Sequence, residues 1–193
     1  GASTGSHEAL ELRDGDQEKF YGQGVLKAVN NIESSIAQRI VGLDLVDQPD
    51  FDKILIELDG TENKSNLGAN SILAVSLAYA WAKSKALSMQ LFEYIGELYG
   101  NKNFILPRPM FNIMNGGRHA NWATDIQEYM VIPIDSKSWS NSLETGSEIF
   151  HSLEKLLLEN NYSTNVGNEG GFAPKVNSNE EALELIVKAI SNA

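Results

Sequence analysis

The sequence predicts an α/β protein in which a helical region is followed by a unit of two strands and two helices. In the first half, apolar residues recur at spacings of three and four from Val25 to Ile40, which is typical of one face of an amphipathic helix. In the second half, two apolar runs flank the turn Asn115-Gly116-Gly117 and have the character of strands. Two later amphipathic stretches, Leu143–Leu157 and Ala182–Ala189, supply the final helices.

The helical region begins with a loop and continues with four helices. Residues 1–24 are polar and punctuated by glycine, which predicts a loop before the helix that starts at Val25. Asp50 is the predicted N-cap of a second helix that runs through Leu58. A third helix begins near Gly68 and is apolar on most of its circumference, so we expect it at the centre of a helical layer. A fourth, shorter helix ends at Gly100.

A domain boundary is predicted where the composition changes. The stretch Asn101–Pro109 contains two prolines around an arginine and separates a first domain, residues 1–100, from a second, residues 107–193. In the second domain, Ser178 and Glu181 have the spacing of a capping box, which predicts that the last helix begins there.

The composition is that of an ordinary globular protein. Hydrophobic residues make up 42% of the 193 residues, enough to bury a core. Fifteen basic against 26 acidic residues give a net charge of -11, spread along the chain, which argues against unspecific binding to nucleic acid or to an anionic membrane. The longest segment of low polarity, Ser71–Ala82, is too short to span a bilayer. Without cysteine there is no disulfide framework, and a cytoplasmic location is the default expectation.

The stretch Phe111–Pro133 is the first candidate for a functional site. Its two predicted strands, the second of them spanning Ile126 to Pro133, are joined by a glycine-bearing turn, so His119, Gln127 and Glu128 lie at or near strand ends. An imidazole, an amide and a carboxylate at a place where glycine lets the backbone approach a ligand form a plausible small-molecule site. A hairpin with merely solvated polar residues explains this stretch alone equally well.

Two glycine-rich loops carry further candidates. The opening Gly-Ala-Ser-Thr-Gly contains Ser3 and has the composition of a mobile lid or an anion-cradling turn, although a plain surface loop is the commoner reading. The chain begins without an initiator Met or a signal peptide, which predicts that it starts inside a longer protein. The second loop, Asn165–Pro174, carries the carboxylate Glu169.

Five segments together resemble the enolase family. In chain order they read GASTG, DGTENKSNLGAN, NGGRHA, IQEYMVIP and NVGNEGGFAP, with family-like spacing and matching helices between them. The resemblance covers essentially the whole chain, whereas chains of the family extend beyond both of its ends. It implies a helical part of an α+β N-terminal domain, followed by the opening ββαα unit of an incomplete TIM-like barrel whose second strand is antiparallel.

The resemblance also implies a reaction, the reversible dehydration of 2-phosphoglycerate to phosphoenolpyruvate in glycolysis. Glu169 is similar to the family's proton donor to the departing hydroxyl, and Glu128 to its neighbouring carboxylate. His119 and Gln127 would line the substrate pocket. Two close carboxylates cannot both ionise easily, so one of them retains a proton to give.

The cofactor implied by the resemblance is magnesium, two ions per active site, which stabilise an enediolate formed when a lysine removes a proton from the substrate. Ser3 would supply oxygen to the second ion as the lid closes. The base lysine and the acidic ligands of the first ion lie on later strands, outside this chain. A homodimer or higher homo-oligomer in the cytoplasm is also implied. We expect the isolated 193 residues to be inactive.

Two details depart from a simple match. Asn168 stands where the family usually has aspartate, which removes a charge beside Glu169. Gln127 and Glu128 are adjacent in the predicted strand and reach one pocket together only at a strand end or a bulge, and Glu128 is the stronger candidate because it alternates with Met130.

Two alternatives remain: a catalytically silent enolase fragment with a structural or binding role, and a relative in the wider superfamily that acts on sugar acids. The lid and the second glycine-rich loop favour enolase over the latter.

Overall fold

The structure is a computed structural model that describes residues 5–44, 46–120 and 122–193. The described chain divides into two compact units, a helical unit of residues 5–104 and a unit of residues 105–193 that contains the strands. Among the described residues, no helix is both long and apolar enough to cross a membrane. The helices of the first unit are Leu26–Asn31 (α1), Ala37–Ile40 (α2), Gln48–Asp59 (α3), Ala69–Ala86 (α4) and Leu91–Tyr99 (α5).

The first predicted helix is confirmed as one continuous helical stretch with an irregular middle. The five residues Ile32–Ile36 form a π-helical turn between α1 and α2. Ile36 at the end of this turn is completely buried, and Phe51 and Leu55 of α3 join it in the core of the unit. The ring of Phe51 stacks on that of Tyr79 of α4, with centroids 3.7 Å apart. The predicted face is thus confirmed in its second half, from Ile32 to Ile40, whereas Val25 and Val29, at 38% and 40%, are exposed.

One local prediction in the helical unit is wrong, and a second holds in part. Helix α3 begins at Gln48 with Asp47 as its N-cap, so Asp50 lies in the first turn instead of capping it. Pro49 explains the difference, because a proline fits inside the first turn, where its missing N–H has no helical partner. Helix α4 packs against α1, α3 and α5, as expected of the central helix of a layer, but it is not covered on all sides, because Leu73, at 58%, and Trp81, at 52%, are exposed on it.

The loop that follows α3 is organised around a buried carboxylate. Asp59 is 3% exposed, and its Oδ2 accepts a hydrogen bond from the backbone N–H of Leu67 at 2.7 Å. Its Oδ1 accepts from the backbone N–H of Thr61 at 3.0 Å and from the Thr61 hydroxyl. Burial alone would raise the pKa of Asp59, but these hydrogen bonds to the charged form outweigh it and lower the pKa. The loop predicted as a plain polar connector is therefore a fixed structure.

The second unit has the predicted ββαα order, and its second strand is antiparallel to the first, as expected. Its elements are Phe111–Asn115 (β1), Glu128–Val131 (β2), Trp139–Glu159 (α6) and Asn179–Asn192 (α7). The two strands pack against both helices around one apolar cluster. The buried members of that cluster are Ile113, Met114, Tyr129, Val131, Ile149, Leu153, Leu157, Phe172, Val176, Ala182, Ile186 and Ala189.

A β-bulge at Ile113 changes the alternation of β1. Asn112 pairs with Met130, but the next paired residue on β1 is Met114, opposite Tyr129. The extra residue lets Ile113 and Met114 both turn toward the helices, where they are 1% and 0% exposed. Because of the bulge, the residues on either side of this buried pair lie on the opposite face of the sheet.

Helix α7 begins with Ser178 as its N-cap, as predicted, and the Ser178 side chain accepts a hydrogen bond from the backbone N–H of Glu181 at 3.1 Å. In a full capping box the Glu181 side chain would also accept from the backbone N–H of Ser178, but here the Glu181 side chain makes other contacts. The Glu181 carboxylate accepts from the backbone N–H of Asn177 at 2.6 Å and from the Tyr162 hydroxyl. The hydrogen bond from Tyr162 lowers the pKa of Glu181, and the same contact raises the pKa of Tyr162. This contact ties the loop after α6 to the start of α7.

Candidate functional site

The end of β1 at Asn115 is the point where the candidate carboxylate segments meet. Asn115 lies directly opposite Glu128, the first residue of β2. On the other edge of β1, the backbone N–H of Asn115 donates to the carbonyl of Phe172 at 2.8 Å, and the N–H of Phe172 donates to the carbonyl of Ile113 at 3.0 Å. The glycine-rich loop that carries Glu169 is thus attached to β1 as a short parallel bridge.

The Glu169 loop is a small hairpin closed by its own backbone. Gly167 donates to the carbonyl of Gly171 at 2.8 Å, and the N–H of Gly170 donates to the carbonyl of Gly167 at 3.0 Å. Gly171 lies so close to β1 that an added Cβ would be 2.7 Å from Oδ1 of Asn115 and 2.9 Å from the backbone nitrogen of Met114. Only glycine permits this approach, so the hairpin holds Glu169 in a defined place beside the strand.

The loop that joins the two strands is equally tight. The backbone N–H of Gly116 donates to the carbonyl of Gln127 at 2.9 Å, and that of Gly117 donates to the carbonyl of Thr124 at 2.8 Å. A Cβ at Gly116 would lie 1.8 Å from the Thr124 hydroxyl oxygen. Within this loop, Gly117–Ala120 forms a short 3-10 turn that contains His119. The predicted turn is confirmed, and two backbone hydrogen bonds close the base of the loop.

Asn179, the first residue of α7, fixes the far side of this loop. Its Oδ1 accepts hydrogen bonds from the backbone N–H groups of Asp125 at 3.2 Å and Ile126 at 3.3 Å. The same oxygen accepts from the hydroxyl of Tyr129 at 3.0 Å. One carboxamide therefore connects the start of α7 with the segment that leads into β2.

The predicted site residues are distributed as follows. Glu128 is half-buried at the start of β2, and Gln127 is half-buried immediately before it. The prediction that the strand begins at Ile126 is wrong, because the carbonyl of Gln127 is used to close the loop on Gly116 and strand pairing starts one residue later. Glu169 lies in its hairpin with an exposed side chain. Ser3 lies outside the described residues.

Gln127 and Glu128 are adjacent in the chain, and adjacent residues within a strand point to opposite faces of the sheet. Their position at the end of β2 determines whether both can reach one site. Glu128 shares its face of the sheet with Met130, whereas Tyr129 and Val131 point into the core. Gln127 precedes the strand and is free of its strict alternation. The arrangement therefore permits Gln127 and Glu128 to approach the same ligand.

A complete metal centre is not found in the described part of the chain. Among these residues, no group of three or more histidine, aspartate or glutamate side chains is arranged to hold a metal ion. The described residues thus offer a pair of carboxylate-bearing segments and hydrogen-bonding amides, which suit proton transfer and recognition of polar substrate groups.

Several residues at this site were missed in the sequence. Asn112 and Asn115 flank the bulge, Thr124 closes the loop and Asn179 anchors it. The repeated Asn at 112 and 115 was a visible signal, since polar residues inside an apolar strand need a partner. Asn179 gave no such signal, because asparagine at the start of a helix is explained by capping alone.

Comparison with known proteins gives a consistent result for both halves of the chain. Residues 1–95 match the family model for the N-terminal domain of enolase, and residues 103–193 match the model for the enolase C-terminal TIM barrel domain. The enolase of Bdellovibrio bacteriovorus is 54% identical over 193 residues, which are 100% of this chain and 45% of that relative. The chain thus spans less than half the length of this curated relative.

Proposed function

This chain belongs to the enolase family, and on that premise we propose that it is part of a glycolytic enolase, a lyase that reversibly dehydrates 2-phosphoglycerate to phosphoenolpyruvate. The observation that supports the proposal best is the meeting of the Glu128 strand and the Glu169 hairpin at Asn115. Removal of a hydroxyl as water is assisted by a carboxylic acid that gives it a proton, and the strand end offers two carboxylate-bearing segments from which that acid could come.

The proposed chemistry assigns different roles to the two carboxylates. Hydroxide is a poor leaving group, so Glu169 gives a proton to the departing hydroxyl and water leaves. Glu128 is the neighbouring carboxylate, on the strand that lies opposite Asn115, where the Glu169 hairpin is attached. General-acid assistance of this kind contributes about 10²–10⁴ in rate. The close approach of Gly171 to β1 would keep Glu169 in place for the transfer.

The remaining assignments concern substrate and metal. His119 and Gln127 would line the substrate pocket, on the loop that Gly116 and Asn179 hold in place. Magnesium would supply positive charge to the anionic substrate, and Ser3 is the residue of this chain assigned to it. The described residues do not form a complete magnesium site. The lysine that removes the substrate proton and the acidic metal ligands are assigned outside this chain.

The cellular setting belongs to the same proposal. We propose a cytoplasmic location, and a homodimer or higher homo-oligomer as the likeness to the family implies. The net charge of -11 on these 193 residues leaves an anionic small substrate possible if a metal ion supplies positive charge at the site, as the proposed magnesium would.

The decisive experiment is an assay of the complete protein that carries this chain. Formation of the enol product from 2-phosphoglycerate is followed by ultraviolet absorbance, with magnesium and after its removal by a chelator. We expect magnesium-dependent turnover that Glu169→Gln abolishes. Glu184→Gln, at an exposed position on α7, is the matched control and should retain activity. Full activity of Glu169→Gln would refute the assignment of the proton donor.

A second candidate, a silent fragment with a structural or binding role, applies to the 193 residues in isolation. Met130 and Ile132, on the face of the sheet opposite the helices, are each 43% exposed, and Ile134 is 62% exposed. Such an apolar face favours association. We expect the isolated chain to be inactive and prone to aggregate, which light scattering would detect. A sharp, reversible two-state unfolding transition of a monomer would contradict this expectation.

A further inference from the structure

The side chain of Asn115 is buried without hydrogen-bond partners. The residue is 2% exposed, and among the described residues neither its Nδ2 nor its Oδ1 has a partner. A buried carboxamide has two donors and an acceptor to satisfy, and leaving them unmet is unfavourable. An apolar residue of similar size would avoid this cost, so the amide at this place requires an explanation.

The side chain of Asn115 lies beside Asn112 and the Glu169 hairpin. The bulge at Ile113 places Asn112 and Asn115 on the same face of β1, and both carboxamide oxygens lie within 3 Å of the position that a Cβ on Gly171 would occupy. Nδ2 of Asn112 also donates a long hydrogen bond, 3.4 Å, to the carbonyl of Glu169. The two amides thus lie between β1 and the Glu169 hairpin.

Glu128 is the carboxylate closest to Asn115 in the pairing of the sheet. The two residues are directly opposite each other in an antiparallel pair, so their Cβ atoms are about 4.5–5.5 Å apart and their side chains share one face. An amide donor and a carboxylate at this separation can form a hydrogen bond through a change of side-chain rotamer alone. Glu128 is half-buried, so such a bond would be only partly exposed to water.

We propose that Asn115 is a positioning residue that donates a hydrogen bond from Nδ2 to the Glu128 carboxylate and thereby holds that carboxylate toward the Glu169 hairpin. The bond would fix the side chain of Glu128 at the strand end to which the hairpin of the proposed proton donor is attached. Because Glu169 acts when the hydroxyl departs, this arrangement serves dehydration and not the earlier removal of the C2 proton. The inference rests on the proposed function and deepens it.

Other titratable groups adjoin the same end of the sheet. Among the described residues they include Arg118 and His119 in the 3-10 turn and Asp125 in the loop that Asn179 holds. Asp125 is exposed, and its backbone N–H is the group that Asn179 binds. None of these residues is paired with Asn115 across the strands, so the amide acts on Glu128 in particular.

The test separates the two steps of the reaction in the complete protein. Proton removal from C2 of 2-phosphoglycerate is followed by exchange with deuterium from the solvent, and dehydration by ultraviolet absorbance. Asn115→Leu should lower kcat for dehydration about 10-fold or more, as expected for loss of a hydrogen bond to a charged group. KM and the rate of exchange should stay within about threefold of wild type, because the base and the bound substrate are untouched.

A second variant covers the case in which Asn115→Leu does not fold. Asn115→Asp can donate a hydrogen bond only when protonated, so its kcat relative to wild type should rise as pH falls. Asn31→Leu is the matched control: Asn31 is a half-buried amide whose Nδ2 donates to the carbonyl of Leu67 at 2.9 Å in the helical unit. This control should not lower dehydration relative to exchange.

The outcomes distinguish the inference from the function on which it rests. If wild type does not dehydrate 2-phosphoglycerate, the proposed function fails and the inference falls with it. If wild type is active but Asn115→Leu matches it, or loses exchange and dehydration equally, the inference alone is overturned. If Asn115→Leu does not fold, an Asn115→Asp to wild-type ratio that does not change with pH overturns it.

Discussion

The hydroxyl of Tyr129 on β2 donates a hydrogen bond of 3.0 Å to Oδ1 of Asn179, 50 residues later at the start of α7. Tyr129 is 4% exposed, so its hydroxyl depends on this acceptor. The same oxygen holds the backbone of Asp125 and Ile126, immediately before the predicted substrate residue Gln127. The geometry of the candidate site is therefore coupled to the position of α7.

Replacing Asn179 should destabilise the protein through Tyr129. Asn179→Ala leaves a buried hydroxyl without its acceptor, which costs about 1–3 kcal/mol in the free energy of unfolding. In a Tyr129→Phe background the hydroxyl is absent, and the same substitution should cost less. Denaturant unfolding of the four proteins of this double-mutant cycle measures the difference. Strict additivity of the two substitutions would show that the hydrogen bond contributes nothing.

Gly116 should not accept a side chain. An alanine Cβ would lie 1.8 Å from the Thr124 hydroxyl oxygen and 2.1 Å from the carbonyl oxygen of Ile126, and the second contact is with backbone. We expect Gly116→Ala to lower the free energy of unfolding by about 1–3 kcal/mol, the usual cost of overpacking. It should also lower turnover, since the loop carries His119.

The control for Gly116 is a glycine with more room around it. At Gly5 the nearest atom to an added Cβ is 3.6 Å away, which is an ordinary contact. Thermal unfolding of Gly5→Ala should resemble that of wild type. Equal melting temperatures for the two alanine variants would mean that the loop relaxes without cost.

The buried carboxylate of Asp59 predicts a pH-dependent contribution to stability. Hydrogen bonds from Leu67 and Thr61 lower its pKa in the folded protein. A lowered pKa means that the stabilisation is fully present above the unfolded value, near pH 4, and is lost as pH falls through the folded value. Asp59→Asn removes an acceptor from Leu67 or Thr61 and should cost about 1–3 kcal/mol at neutral pH.

The pH dependence provides the check on Asp59. The difference in unfolding free energy between wild type and Asp59→Asn should be constant above about pH 5 and shrink below about pH 4. Asp50→Asn, at an exposed position in the first turn of α3, is the control and should change stability little at any pH. A difference that stays constant down to pH 2 would contradict the assigned role of the ionised carboxylate.

The sequence was most informative where local rules decide the structure. Apolar periodicity located the helices, and glycine located the turn between β1 and β2. The extra residue at Ile113 could not be foreseen, because either face of a short apolar strand can be buried until the helices that cover it are known. The contacts of Asp59 and Asn179 were missed for a related reason, since a polar residue in a loop or at a helix start has a sufficient local explanation.

The same distinction, between features set by local sequence and features set by contacts distant in sequence, applies to the candidate site residues. Glu169 and Glu128 were chosen from their motifs, and the structure adds that their segments flank a single residue, Asn115. Asn115 itself was treated as part of a turn signal. Its position between two segments distant in sequence is a property of the sheet and cannot be derived from the NGG pattern.

The bulge in β1 also bears on how this segment can vary. Removing Ile113 would leave the pairs on both sides of it unchanged, so Asn112 and Asn115 would keep their common face and β1 would alternate regularly. The deletion would, however, remove a side chain that is 1% exposed and the carbonyl that accepts the backbone N–H of Phe172. A change from Ile113 to another aliphatic residue keeps that carbonyl, whereas a deletion would loosen the attachment of the Glu169 hairpin to β1.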